Sequence, residues 1–142
     1  MSWLVDNVSA IREAAIHNFC KLVEAFGVEW AKETLCPQIQ ILTRDPKYLT
    51  RIACIHAYSS MKDFLGPELM ADISEQIVIP LSKDPIPNVR FNVAIFIQNV
   101  YPLLLGKPTL LREKIQPVIE SLVTDPDRDV RNFAEITQKA FH

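Results

Sequence analysis

Residues 84–90 read DPIPNVR, and residues 125–131 repeat this phrase almost unchanged as DPDRDVR. Two weaker copies, DPKYLTR at 45–51 and DNVSAIR at 6–12, also place an Asp six residues before an Arg. The four Asp residues are separated by 39, 39 and 41 positions. A fixed period near 40 residues is typical of proteins built from repeated helix pairs. The chain is therefore predicted to be a helical repeat protein.

The segments between the copies carry apolar residues at the spacing of amphipathic helices. After Arg12, for example, Phe19, Leu22, Val23 and Phe26 fall on one helical face. Each of the three glycines stands where such a helix would end: Gly27, Gly66 and Gly106. No segment alternates at period two for long enough to predict a strand. The predicted fold is all-α, with about seven helices stacked as a right-handed α-α superhelix.

The predicted domain is a single solenoid over residues 1–142. Its units are expected at about 1–27, which is half a repeat, 28–66, 67–106 and 107–142. Each whole unit has a proline in its first helix, which should kink or break that helix. The proline lies eight residues before the Asp in two units and four residues before it in the middle one: Pro37, Pro117 and, in the middle, Pro80. The shape of the middle helix is left open by this difference.

The Asp of each phrase is predicted to cap the second helix of its unit, because its carboxylate can accept unpaired N–H groups of the first turn. The Pro that follows three of these Asp residues has no N–H, so it needs no acceptor there. The residue before each Arg is expected to anchor the turn in the core: Ile11, Thr50, Val89 and Val130. Since the Asp and Arg recur in register, stacked units should form a ladder of ion pairs from Asp6, Arg12, Asp45, Arg51, Asp84, Arg90, Asp125 and Arg131. The alternative is that each Asp only caps a helix and each Arg is only solvated.

Composition and motifs argue against catalysis and against metal or cofactor binding. The three histidines and three cysteines form no ligand pair at metal-binding spacing, and there is no GxSxG motif. Only three glycines are present, so a glycine-rich phosphate loop is excluded. We therefore predict a protein that is not an enzyme and that has no catalytic residues, no metal and no cofactor.

Charge and hydropathy also limit the partners and the location. The net charge of −2 predicts no binding to nucleic acid or to an anionic membrane surface. The most apolar run, NVAIFIQNVYPLLLG at 92–106, is too short and too polar to span a bilayer. The start MSWLVDNVSAIRE lacks the features of a signal peptide. A soluble, intracellular protein with free thiols is expected.

The period, the first-helix prolines and the Asp and Val-Arg around each turn resemble the HEAT-repeat family. Within it, WLVDNVSAIREAA, LVEAFGVEWA, DPKYLTRI and DPIPNVRFNVA are similar to the C-terminal repeats of the scaffold subunits of type 2A protein phosphatases. The likeness runs from Trp3 to near the end of the chain. The chain looks like the last three repeats of such a scaffold, preceded by the second helix of another.

This resemblance implies a non-catalytic scaffold whose turns hold the phosphatase catalytic subunit. The turns within the helix pairs line up as one ridge in a solenoid. The candidate partner-binding residues on this ridge are Val8, Ser9, Lys47, Tyr48, Leu49, Ile86, Pro87, Asn88 and Arg128. Regulatory subunits of the family engage repeats that this chain lacks, so their binding is not expected here.

Two further interpretations remain open at this point. The chain could instead be a HEAT-repeat adaptor of another complex, such as one for nuclear transport, although its second helices carry mixed charge rather than acidic runs. Alternatively, Tyr48 and Ile86 could fold back over a neighbouring turn instead of meeting a partner. Self-association is also predicted at the N-terminal end, where Ile11, Phe19 and Phe26 would lack a covering helix.

Overall fold

A computed structural model describes the backbone of residues 9–141 and the side chains of residues 16–141. Throughout these described residues the regular structure is helical and contains no strand, which confirms the predicted all-α fold. The chain divides into two compact units, Met1–Leu69 and Met70–His142. The boundaries of the individual repeat units remain a prediction.

In its described residues, the first unit contains three helices, one helical turn and the first residues of a fourth helix. The helices are α1 (Ser9–Phe26), α2 (28–42) and α3 (Tyr48–Ser60), and the turn covers residues 62–65. Two predicted helix ends lie at glycines with positive φ, Gly27 at 93° and Gly66 at 84°, a conformation that other residues rarely adopt. The core is formed by large apolar side chains from all of these elements: Phe19, Val23, Ile39, Tyr58, Met61 and Leu65.

The second unit contains most of α4 (67–81), followed by three further helices. These are α5 (Pro87–Val100), which ends in the 3₁₀ turn Tyr101–Leu104, α6 (108–122) and α7 (Arg128–Ala140). Helices α5 and α7 pack against each other, and the Phe91 and Phe133 rings meet edge to face between them with their centroids 5.3 Å apart. The Thr137 hydroxyl also donates to Gln98 Oε1 at 3.3 Å.

A widened π turn precedes the proline of each first helix. The three π turns are Ala31–Leu35, Ser74–Val78 and Leu111–Ile115. In each case the residue before the proline donates its N–H to the carbonyl five residues back, instead of four. The extra residue makes room for the proline ring, which would otherwise clash with a carbonyl of the preceding turn.

The same rule explains the middle helix, whose shape the sequence left open. Pro80 lies closer to its Asp than the other two prolines do, and its π turn lies correspondingly closer to that Asp. All three π turns therefore end two residues before a proline. The prolines distort these helices as predicted, but each helix continues to its Asp turn without a break.

Candidate partner-binding turns

The repeated seven-residue phrase forms a turn that is braced by its own Asp and Arg. The Asp side chain accepts a hydrogen bond from the N–H two residues later: 2.8 Å from Asp45 to Lys47, 2.9 Å from Asp84 to Ile86 and 2.9 Å from Asp125 to Asp127. The Arg side chain reaches back to the Asp carbonyl: 2.8 Å from Arg51, 2.7 Å from Arg90 and 2.8 Å from Arg131. The intervening Pro has no N–H to satisfy. The phrase therefore recurs because each copy specifies one complete turn.

The prediction that these Asp residues are helix N-caps is wrong for the three described copies. The second helices begin three residues after the Asp, and their capping positions are Lys47, Ile86 and Asp127. Each Asp carboxylate instead bonds within its own turn, two residues along the chain. Of these three capping residues, Asp127 does cap its helix with its side chain, since its carboxylate accepts a hydrogen bond from the Val130 N–H at 3.0 Å.

The residues that precede the Arg anchor these turns in the core, as predicted. Thr50, Val89 and Val130 are all buried. The fourth copy, with Asp6, Ile11 and Arg12, lies outside the residues whose side chains are described.

An ion pair joins two successive turns within the second unit. Arg90 Nε donates to Asp125 Oδ2 at 2.7 Å, and its Nη2 donates to Oδ1 at 3.0 Å. Both side chains are mostly buried, with 13% and 6% of their surface exposed. Since the third guanidinium nitrogen bonds the carbonyl of Asp84, Arg90 holds its own turn and the next one together.

Electrostatics favour the charged form of both partners in this pair. The hydrogen bond to Asp125 raises the pKa of Arg90 above its ordinary value. Burial alone would raise the pKa of Asp125. The hydrogen bonds from Arg90 and from the Asp127 N–H, with the charges of Arg90 and Arg131, outweigh burial and leave the pKa of Asp125 below 3.8.

Several predicted partner-binding residues lie on the surface of these turns. In the first unit, the side chains of Tyr48 and Leu49 are 39% and 40% exposed at the beginning of α3, beside the exposed Lys47. In the second unit, Pro87, Asn88 and Arg128 are exposed, and Ile86 is half-buried. Val8 and the side chain of Ser9 lie outside the described residues. Large apolar side chains at an exposed turn are suitable anchors for a partner.

An aromatic pair at the junction of α1 and α2 was not predicted as a pair. The Phe26 and Trp30 rings lie on either side of Gly27 with their centroids 5.3 Å apart. Phe26 is 63% exposed, whereas Phe19 is buried, so the expectation that Phe19 is poorly covered is wrong. Phe19 lies on the apolar face of α1, which packs against the core of the first unit.

We expect Phe26→Ser to reduce self-association of the chain, because it removes a large apolar side chain that is 63% exposed. Sedimentation velocity over a hundredfold concentration range would measure the effect. Ile136→Ser is the matched control, since Ile136 is 55% exposed in the second unit. A chain that sediments as a monomer at every concentration would contradict the prediction.

The three cysteines are free thiols with raised pKa values. Cys36 and Cys54 are buried free thiols, and burial raises the pKa of Cys36 to about 11 and that of Cys54 to about 12. Burial also raises the pKa of the half-buried Cys20. Among the residues that the structure describes, no group of three or more His, Cys, Asp and Glu side chains could hold a metal ion. Nor is any helix there long and apolar enough to cross a membrane.

Together, these features define an all-α helical repeat protein with braced turns between the helices of each pair. The chain is 44% identical to the regulatory A subunit of protein phosphatase PP2A from Schizosaccharomyces pombe over 78 residues, which are 52% of this chain and 12% of that protein. It is 31% identical to the protein of the same name from Saccharomyces cerevisiae over 123 residues, 81% of this chain and 19% of that protein.

A third relative is the serine/threonine-protein phosphatase PP2A 65 kDa regulatory subunit of Drosophila melanogaster, with 41% identity over 54 residues. Those residues are 38% of this chain and 9% of that protein. No protein-family model matches the chain. The chain spans less than one fifth of the length of these relatives, and it is similar over that part to regulatory A subunits of PP2A.

Proposed function

We propose that this chain is a stretch of HEAT repeats with a non-catalytic scaffold role in a PP2A-type phosphatase complex. The similarity to the regulatory A subunit of Saccharomyces cerevisiae carries this proposal, because it extends over 81% of the chain. The relatives are named as regulatory subunits, which is consistent with a protein that binds a phosphatase and does not itself catalyse. A cytoplasmic and nuclear location is part of the proposal.

The proposed binding surface is formed by the turns of the helix pairs, and the proposed partner is the phosphatase catalytic subunit. The braces within each turn support this choice, since they fix the backbone before a partner arrives. A preorganised surface loses less conformational entropy on binding than a mobile loop does. Exposed side chains of three kinds are available on these turns: the apolar Tyr48 and Leu49, the cationic Lys47 and Arg128, and the polar Asn88.

The proposal is tested by titrating the purified chain into a purified PP2A catalytic subunit in a calorimeter. We expect one-to-one binding, and no binding to the catalytic subunit of a different serine/threonine phosphatase. The chain alone should release no phosphate from a phosphopeptide. Equal affinity for both phosphatases, or no binding to either of them, would contradict the proposed partner.

A further inference from the structure

A half-open cavity of about 330 Å³ lies in the second unit, away from the braced turns. Its floor is apolar and is formed by Ile115 and Ile119 of α6, each only 2% exposed. Tyr101 and Phe141 form one side, with their rings stacked at 3.7 Å and an angle of 8° between the planes. The volume and the apolar lining are those of a small-molecule site.

Chain topology separates this cavity from the proposed partner-binding turns. Leu111 and Arg112 lie in the first turns of α6, and Gln138 and Phe141 lie at the end of α7. The loop at 123–127 joins the opposite ends of these two helices. A ligand in the cavity would therefore leave the turn surface free.

Three polar groups at the cavity have hydrogen-bonding capacity to spare. Across the described residues, the Tyr101 hydroxyl and the Gln138 side-chain amide make no hydrogen bond, and both line the cavity. The Arg112 guanidinium lies 3.9 Å from a carboxylate oxygen of Glu113, which is beyond hydrogen-bonding distance. Both side chains of that pair are well exposed, at 69% and 59%, so the pair is weak.

We propose that this cavity binds a small amphiphilic carboxylate. The aromatic or branched apolar part would lie on Ile115 and Ile119, beside the Tyr101 and Phe141 rings. The carboxylate would accept hydrogen bonds from Arg112, whose planar guanidinium matches a carboxylate in charge and geometry. The Tyr101 hydroxyl and the Gln138 amide add donors of the kind that orient a ligand in an apolar site.

The test uses 4-phenylbutyrate as the probe and 4-phenylbutyramide as its uncharged control. The full chain, labelled with ¹⁵N, is titrated with each compound and followed by its backbone amide signals. We expect saturable shifts at 109–116 and 136–141, with a dissociation constant on the order of 1 mM for so small a ligand. The amide should bind roughly tenfold more weakly, because it loses the charge-assisted contact with Arg112.

Two matched variants then test the role of Arg112. Arg112→Gln should weaken phenylbutyrate roughly tenfold and leave phenylbutyramide unchanged. Lys114→Gln should change neither, since Lys114 is an exposed cation on the same helix but outside the cavity. Both replaced side chains are exposed, and unchanged amide spectra elsewhere would show that the fold is intact.

Three results would overturn the proposal. The first is equal binding of the acid and the amide, and the second is an unchanged affinity in Arg112→Gln. The third is a set of shifts centred outside the cavity. No phosphatase is present in these titrations, so their failure and the failure of the proposed scaffold role are distinguishable.

Discussion

Replacing Arg90 by alanine is expected to lower the free energy of unfolding of the second unit by about 3 kcal/mol. The substitution removes both hydrogen bonds to Asp125 and the bond to the carbonyl of Asp84. Asp125 then keeps a mostly buried negative charge without its main partner. Removal of one member of a buried pair is more destabilising than the pair's net contribution, because the remaining charge stays desolvated.

Urea denaturation followed by circular dichroism would measure this loss. Arg112→Ala is the control, because Arg112 is 69% exposed and has only a weak ionic contact. The single variant Asp125→Asn and the double variant Arg90→Ala/Asp125→Asn complete a mutant cycle, which separates the ion pair from the hydrogen bond that Asp125 accepts within its own turn. If Arg90→Ala unfolds at the same urea concentration as Arg112→Ala, the ion pair does not stabilise this unit.

The stability difference between the native chain and Arg90→Ala should depend on pH. The pKa of Asp125 in the folded chain lies below its ordinary value of 3.8. A carboxyl group of this kind stabilises the fold above its unfolded pKa, and the contribution is lost as the pH falls through the folded pKa. The difference should therefore be complete at neutral pH and should shrink below about pH 3.8. An equally large difference at pH 2 would show that the charge of Asp125 is not responsible.

The helix pairs could be predicted from the sequence because their signals are local and repeated. Apolar spacing predicts the helices, and Gly27 and Gly66 do end their segments with positive φ. The first residue of each second helix was harder to predict, because Asp is favoured both as an N-cap and in turns where its side chain accepts from the N–H two residues later. Pro directly after the Asp does not distinguish the two, since it suits either arrangement. The helices therefore begin two residues later than an N-cap at Asp45, Asp84 or Asp125 would predict.

The π turns and the partner of Arg90 could not be read from the sequence for a different reason. Proline predicts a distortion in a helix, but not whether the chain kinks, breaks or adds a residue to the turn. Arg90 could pair with an Asp of its own turn or of a neighbouring one, and the sequence spacing allows both. The structure shows both contacts at once: the Asp84 carbonyl and the Asp125 carboxylate.

The candidate site was predictable only as a set of turn positions. Side-chain exposure depends on the packing around each turn, and this differs between copies of the phrase. Tyr48 and Ile86 both lie just before or at the beginning of a second helix, yet Tyr48 is exposed and Ile86 is half-buried. The cavity beside Tyr101 and Phe141 carries no sequence signal, because its lining comes from three separate segments.

Tyr48→Ala should weaken binding to a PP2A-type catalytic subunit by roughly 1–3 kcal/mol while leaving the helical content unchanged. Tyr48 is the first residue of α3, directly after a turn held by Asp45 and Arg51. Its side chain is 39% exposed, so a partner could bury a further part of the ring. A rigid aromatic side chain loses little conformational entropy when it is buried, which is why Tyr is common among the residues that dominate interfaces. The neighbouring Lys47 should affect the association rate more than the affinity.

Phe64→Ala is the matched control for Tyr48→Ala, because Phe64 is also aromatic and is 37% exposed. It lies just beyond the end of α3, whereas Tyr48 lies at the beginning of that helix, so a partner bound at the turns should not contact it. Circular dichroism and calorimetric titration on the same samples would separate folding from binding. A loss of helical content together with affinity would make Tyr48 a packing residue. Equal effects of the two substitutions on binding, or no effect of either one, would show that the partner does not bind at the turn of Tyr48.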